Sequence, residues 1–381
     1  MSQEEAMRAN EALDAPVATA AATPLSLRAL TVRAVEVPLA RPVITASGAI
    51  RTAPLVLCDL LTEQGVSGSA YVFAYQPVAL KPLAVLLDNL GATLRGHPVA
   101  PLPLDAVLAQ RFRLLGPQGL TGMAMAALDM AAWDAQARAA DLPLVRLLGG
   151  APRALPAYNS LGLHDPAEVG ALAVESVELG FKAMKIKVGF PDVRTDVEAV
   201  RAVRAAVGDR LALMVDFNQS LDVPEAIRRA RVLDDEGLTW IEEPTRADDY
   251  EGHARIGRAV RTPLSMGENW WGFHDMTKSL AAAASAFGMP DVMKIGGVTG
   301  WLRAAALGQA HAMPLSSHVF PEISAHLLAV TPTAHWLEWL DFAGPLLRDP
   351  PQVVEGCVTA SERPGSGIDF DDAAIERYRV R

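Results

Sequence analysis

Lys185-Ile186-Lys187, Asp216-Phe217-Asn218, Trp240-Ile241-Glu242-Glu243-Pro244 and Gly267-Glu268-Asn269 follow one another along the chain, each closing a short apolar run, with helix-like segments between them. From Asp216 to Glu242 is 26 positions, and from Glu242 to Glu268 is 26 again. Three carboxylates at a constant step, each ending a strand-like run, are what a parallel barrel produces when consecutive strands deliver ligands to one end. Oxygen ligands with no Cys nearby suit a hard cation, Mg2+ above others. Unrelated surface acids would share neither the period nor the strand-end placement.

Around this stretch, strand-like runs alternate with helical patterns: Pro156–Ser160, Ala183–Val188, Leu213–Asn218, Thr239–Glu243, Leu264–Glu268, Val292–Ile295, Leu315–His318 and His335–Leu340. Helix starts are signalled by Asp165-Pro166, Asp222-Val223-Pro224 and Asp249. Eight such strand–helix units predict a (β/α)8-type (modified TIM) barrel over residues 151–343, with its site at the C-terminal strand ends. The preceding part reads differently. Leu27–Leu39 is a strand whose apolar phase slips between Ala34 and Val35, which would fit a bulge. Arg41–Thr52 has no period and reads as a surface loop. Leu55–Leu61 and Val66–Ala74 flank the turn Thr62-Glu63-Gln64-Gly65, a hairpin signal. Helical patterns cover Val78–Leu94, Leu104–Leu114 and the Ala- and Met-dense Gly122–Ala139. Strands followed by helices make residues 27–150 an α+β capping domain in this α/β protein. Residues 1–26 read as a flexible leader, and 344–381 as a segment returning to the capping domain.

Composition narrows the class. A net charge of -10 and a pI near 5.3 argue against nucleic acid or an anionic membrane surface as partner. Cys58 and Cys357 are too few for a disulfide framework or a zinc site. No apolar run approaches the roughly 20 residues of a membrane span. The chain starts with Glu4 and Glu5 rather than a basic region, unlike a signal peptide, so a cytoplasmic protein is expected.

Strand alternation places Lys185 and Lys187 on one face and Met184, Ile186 and Val188 on the other. The apolar set should pack on helices, leaving two ammonium groups in the barrel mouth, where the carboxylates and an anionic substrate would balance them. Asp216 and Asn218 share a face in the same way. Asp291 on the sixth strand and His318 on the seventh should be neighbours, the acid orienting the ring and raising its basicity. Glu338 lies in Trp336-Leu337-Glu338-Trp339, where flanking indoles would keep it protonated and able to donate a hydrogen bond. Gly296-Gly297-Val298-Thr299-Gly300 lacks the Rossmann spacing, so nucleotide binding is discounted. A metal between two bases and an acid describes α-proton abstraction next to a carboxylate. Lys187 or His318 would remove the proton, and the metal and Glu338 would hold the enediolate.

Together these residues resemble the enolase superfamily and, within it, the mandelate racemase/muconate lactonizing enzyme family, from about Val32 to Gly344. The likeness is dense around Asn218–Pro224, Trp240–Pro244, Met293–Trp301 and Ile323–Glu338. It implies Asp216, Glu242 and Glu268 as Mg2+ ligands, Lys187 as base for the S enantiomer and Asp291–His318 as base for the R enantiomer. It also implies Lys185 and Ser160 at the substrate carboxylate, Asn218 at the α-hydroxyl, and Glu338 as the general acid. Related cycloisomerases and dipeptide epimerases carry a lysine on strand 6 instead of the dyad, so the hydroxy-acid racemase branch is favoured. Val43, Ile50, Phe73 and Tyr75 would form the substrate pocket, suited to an aryl or alkyl 2-hydroxy carboxylate. Ile44, Ser47, Leu161, Gly162, Ile186, Val319 and Trp339 depart from the racemase pattern and put the ring contacts in question. The expected activity is racemisation of mandelate or a close relative. The runner-up is dehydration of an acid sugar through the same enediolate. A barrel kept only for binding would need a broken ligand set, which is not seen. A homo-oligomer, an octamer by resemblance, is implied as well.

Overall fold

The computed structural model describes residues 24–45 and 48–380, so the expected leader lies, up to residue 23, outside them. The capping part opens with three antiparallel strands, β1 (Leu27–Thr45), β2 (Gly48–Thr62) and β3 (Ser67–Phe73), in the order β1-β2-β3. The β2–β3 hairpin forms at the turn read from sequence, with Gly65 at φ 81° and Thr62 N donating to Val66 O. Two expectations for β1 fail. The register runs unbroken from Ala29 to Pro38, so there is no bulge at Ala34–Val35; the shifts lie at Leu27–Ala29 and Pro38–Val43. The apolar phase changes because β1 is covered on both sides: Leu30 packs against Gly91, while Val35 and Val37 on the other face are buried. Nor are the described residues of Arg41–Thr52 an irregular loop. Val43 pairs with Ile50 and Ile44 with Ala49, which extends the β1–β2 ribbon. Each arm satisfies the other's backbone, so pairing needs no side-chain period, and Pro38 and Pro42, lacking N–H groups, flank the break.

Helices α1 (Leu80–Leu94), α2 (Pro101–Arg111) and α3 (Gly119–Ala139) follow, then a short α4 (Leu144–Leu147). The alanines of α3 are explained by close approach: a Cβ on Gly68 of β3 would sit 2.0 Å from Ala131 O and 2.9 Å from the Ala135 Cβ. Only small residues on both sides let helix and sheet meet at that distance.

The barrel strands are β4 (Leu155–Ser160), β5 (Ala183–Lys187), β6 (Ala212–Asp216), β7 (Trp240–Glu242), β8 (Leu264–Met266), β9 (Phe287–Gly288) and β10 (Leu337–Trp339). They pair in parallel, in the order β10-β4-β5-β6-β7-β8-β9. The ring closes through residues 315–318, whose bridges join Leu315 to Gly288 and Ala334, and His318 to Asp291. The sixth strand was expected at Val292–Ile295 but lies earlier, at Phe287–Gly288; Val292–Ile295 is a turn. Its apolar residues are buried without being extended, an ambiguity that periodicity in a short run cannot resolve.

Helices α5 (Pro166–Glu178), α6 (Val193–Val207), α7 (Val223–Leu233), α8 (Tyr250–Ala259), α9 (Phe273–Ala282), α10 (Gly297–Ala310) and α11 (Pro321–Ala329) follow the first seven strand positions. The eighth has no barrel helix among the described residues, so the count is seven and not eight. After β10 the chain makes a 3-10 turn, Gly344–Leu346. β11 (Cys357–Val358) then pairs antiparallel with β4, and α12 (Asp372–Tyr378) precedes a bond from Val380 N to Ala34 O.

The glycine-rich run at 296–300 has a structural use. Gly297, at φ 72°, lies where a Cβ would be 2.3 Å from Asp129 Oδ2, and Thr299 N donates to that oxygen at 3.0 Å. The Asp129 carboxylate of α3 thus caps α10. Replacing Gly68 by Val should overpack the α3–β3 contact and lower stability by about 1–3 kcal/mol. Thermal and denaturant unfolding against Ser69→Ala, in the same strand, checks this. An unchanged midpoint would mean the contact yields.

Candidate active site

Register brings the chemistry to one level. Lys187 is the cross-strand partner of Asp216, Asp216 of Glu242, and Ser160 of Lys185. Met184, Ile186 and Val188 pack outward with Val200 and Val203 of α6, so Lys185 and Lys187 face the barrel mouth as alternation requires. Ligand atoms of Asp216, Glu242 and Glu268 lie within 4.8 Å of one another, and all three residues are buried. Lys185 Nζ contacts Glu242 Oε1 at 2.6 Å and Glu338 Oε1 at 2.9 Å. Lys187 Nζ donates to Asp216 Oδ2 at 2.7 Å. At the other end of the carboxylate trio, His318 Nε2 lies 3.2 Å from Glu268 Oε2, and its Nδ1 is 2.7 Å from Asp291 Oδ2. Two basic side chains, Lys187 and His318, therefore flank the trio, each against one of its members.

The electrostatics of the site favour a bound cation. Asp216, Glu242, Glu243, Glu268, Asp291 and Glu338 form one network with Lys185, Lys187, Lys294 and His318. Even with His318 protonated, six carboxylates against four cations leave two negative charges uncompensated. Burial and neighbouring acids raise Glu242 to about 8 despite Lys185, and burial with Glu268 holds Glu243 well above the carboxylate range. Burial alone would lower His318, but Glu268, Glu338 and Asp291 outweigh it and raise the ring to about 9. Burial opposes the charge on Lys185 too, yet Glu242 and Glu338 keep it an ammonium. A divalent cation supplies the missing charge, and an all-oxygen donor set fits Mg2+.

Glu338 differs from expectation. Burial would raise it, but Lys185 and His318 bring it down to about 2, so it is a carboxylate here and not a protonated acid. Trp339 packs into the core on the opposite face and Trp336 joins the barrel interior, so the indoles do not set its charge. Its polar neighbours are Lys185, the Val319 amide at 2.9 Å and His318.

A cavity of about 500 Å³ opens onto these groups. Val43, Ile50, Phe73, Tyr75, Ser160 and Asn218 all line it. Asn218 has the left-handed φ of 43°, donates Nδ2 to Asp216 Oδ2 at 3.0 Å, and keeps a buried Oδ1 without a partner. Strain at such a residue is typical of functional positions. Among the described departures from the racemase pattern, Val319 alone lines the cavity; Ser47 lies outside the described residues. Ile44 instead meets the barrel, Leu163 N donating to Ile44 O at 2.9 Å, and a Cβ on Gly162 would lie 2.7 Å from Ile44 N. Leu161, Ile186 and Trp339 pack in apolar clusters.

Sequence reasoning missed Glu243, Asn269, Lys294, Trp271, Met123 and Phe342. The first two directly follow metal ligands, a signal that was available. Met123 from α3 and Phe342 after β10 reach the cavity only through tertiary folding.

Residues 168–374 match the family described as Enolase C-terminal domain-like, and residues 28–149 match the Mandelate racemase / muconate lactonizing enzyme, N-terminal domain. The chain belongs to the mandelate racemase/muconate lactonizing enzyme family of the enolase superfamily. A solved structure from this superfamily, an enolase from Bradyrhizobium complexed with magnesium and mandelic acid, is 47% identical. It covers 94% of this chain and 99% of that one, with a TM-score of 0.91. The L-talarate/galactarate dehydratase of Salmonella typhimurium is 36% identical over 68% of this chain, which spans just under two thirds (66%) of that enzyme. The 3,6-anhydro-alpha-L-galactonate cycloisomerase of Streptomyces coelicolor is 33% identical over 87% of this chain and 93% of its own length. No described helix is long and apolar enough to cross a membrane.

Because burial and neighbouring acids raise the ligand Glu242 to about 8, cation binding should release a proton and strengthen with pH. The apparent Mg2+ Kd is expected to fall from pH 6 to pH 8, by up to about tenfold per unit for each proton displaced. Calorimetry in buffers of different ionisation enthalpy reads the proton count, and a pH-independent Kd would contradict a raised Glu242.

Proposed function

We infer that this chain is a Mg2+-dependent racemase of mandelate or a closely related aryl or alkyl 2-hydroxy acid. The observation that carries the reading is the pair of bases at opposite ends of the carboxylate trio. Asp216, Glu242 and Glu268 would hold the ion, which supplies Lewis-acid stabilisation of the charge that develops on the substrate carboxylate. Lys185 and Ser160 face the cavity where that carboxylate would lie, and the free Oδ1 of Asn218 is a ready acceptor for the α-hydroxyl proton. Lys187 removes the α-proton from the S enantiomer. His318, oriented by Asp291, returns one to the opposite face, and the reverse sequence serves the R enantiomer.

Glu268, Glu338 and Asp291 raise the ring to about 9, which favours its charged form for the donating half-reaction. Acting on the R enantiomer requires its deprotonation, which a cation on Glu268 favours by withdrawing that carboxylate's negative charge from the ring. Glu338 lies with Lys185 at the carboxylate end; an approaching substrate anion would draw Lys185 away from it and favour its protonated, donating form. Phe73, Tyr75, Val43 and Ile50 give the side chain an apolar wall, and Phe342 packs on Phe73 with ring centroids 4.5 Å apart. The mandelic acid in the Bradyrhizobium relative supports an aryl substituent here.

The second reading, acid-sugar dehydration, uses the same proton abstraction, with His318 protonating a departing hydroxyl. Gln76, Gln219 and Lys294 in the cavity wall favour it, as does the likeness to the Salmonella dehydratase.

With purified protein, Mg2+ and (R)-mandelate, circular dichroism is expected to decay, with deuterium entering the α-position in D2O. No change in either, together with 2-keto-3-deoxy products from acid sugars, would select the dehydratase. His318→Asn should lower turnover of the R substrate by about 10²–10⁴-fold, while α-proton exchange from the S substrate persists through Lys187. Equal loss of both exchanges would count against two bases.

A further inference from the structure

One cation in the cavity wall has no direct counter-ion. Lys294 is only 5% exposed, yet no carboxylate oxygen of the described residues lies within 4.0 Å of its Nζ. Its hydrogen bond goes to a neutral acceptor, Asn269 Oδ1, at 2.7 Å. Its other close neighbours are aromatic: Nζ stands 4.4 Å from the Tyr75 ring centroid and 5.9 Å from that of Trp271. Ring faces attract an ammonium but do not neutralise it, and the nearest acid, Glu243, reaches it only across the Asn269 amide, so the Nζ keeps donors free toward the cavity. The three other cations of the site each touch a carboxylate.

The place of this ammonium defines what could complete it. Phe342, Phe73 and Tyr75 form a continuous wall, with successive centroids 4.5 Å and 4.5 Å apart, and Lys294 stands over the last ring. All four line the same cavity. An aryl group lying along the wall, with its carboxylate end toward Lys185, would bring its ring edge to the Tyr75 end. A hydrogen-bond acceptor or anion carried on that ring would meet the Nζ, which has N–H donors left after Asn269 takes one.

We propose that Lys294 is a specificity-determining residue that receives an anionic substituent on the substrate's aryl ring, so that ring-carboxylated aryl 2-hydroxy acids bind in preference to uncharged analogues. The proposal rests on the aryl 2-hydroxy acid reading given above and adds a second recognition point to it. It assigns Lys294 no part in moving the α-proton.

The test uses the Mg2+-loaded full-length protein and two pairs of probes: mandelate carrying a 4-carboxylate or a 4-carboxamide, and the corresponding 3-isomers. The carboxamide matches the carboxylate in size and lacks its charge. Calorimetry is expected to give a Kd about tenfold or more lower for the carboxylate of at least one pair. Lys294→Met should bring that ratio to within about threefold, and Lys294→Arg should keep part of it. Equal affinity for carboxylate and carboxamide in the wild-type protein would overturn the proposal, without any variant having to fold. So would an equal weakening of all four probes in Lys294→Met, which is what a role confined to orienting Asn269 would give. Exchange of the mandelate α-proton in D2O is scored separately. Exchange without a carboxylate preference removes the Lys294 assignment alone, whereas a carboxylate preference without exchange removes the racemase reading and leaves the subsite.

Discussion

The barrel mouth is governed by an excess of buried negative charge. Six carboxylates are held where water cannot screen them, against too few cations to balance them. Opposite charges fix the lysines at the centre, burial pushes protons onto Glu242 and Glu243, and the histidine ring is drawn toward its charged form. A site of this kind is unstable as a set of isolated ions and coherent around a divalent metal. The strands supply the groups at one level, and the charge balance decides what they do there.

Much of this was legible because barrel geometry is periodic. A repeat of 26 positions located the three ligands, and strand alternation placed Lys185 and Lys187 inward. The failures have physical causes as specific as the successes. The sixth strand was misplaced because Val292–Ile295 is apolar and buried while being a turn. The pairing of 43–45 with 48–50 leaves no trace in the hydrophobic pattern because antiparallel pairing supplies its own hydrogen bonds without any alternation. For Glu338, adjacency in sequence puts indoles beside it, whereas the fold surrounds its carboxyl group with Lys185, His318 and a backbone amide.

Residues that read the substrate were harder to find than residues that transform it. Acid–base groups and ligands announce themselves by type and by position at strand ends. The walls of the cavity come from the β1–β2 ribbon, from α3 and from the segment after β10, elements far apart in the chain. Phe342 next to Phe73 joins positions with nothing local to connect them. Lys294 stands in a strand-like run, but its lack of a direct ion pair among the described residues is a three-dimensional property.

The joint between Asp129 and Gly297 bears on how this architecture can diversify. Helix α3 supplies both that carboxylate and Met123 of the cavity wall, and α10 begins three residues after Lys294. The two halves therefore meet at a hydrogen-bonded joint, with Asp291 and Lys294 in the segment that leads into α10. A cap transplanted from a relative brings a working pocket only if its own helix seats an acid on a glycine at that point. Changes on one side are therefore felt on the other: a side chain at 297, or loss of the acid at 129, would disturb both the helix that carries Met123 and the turn that carries Lys294.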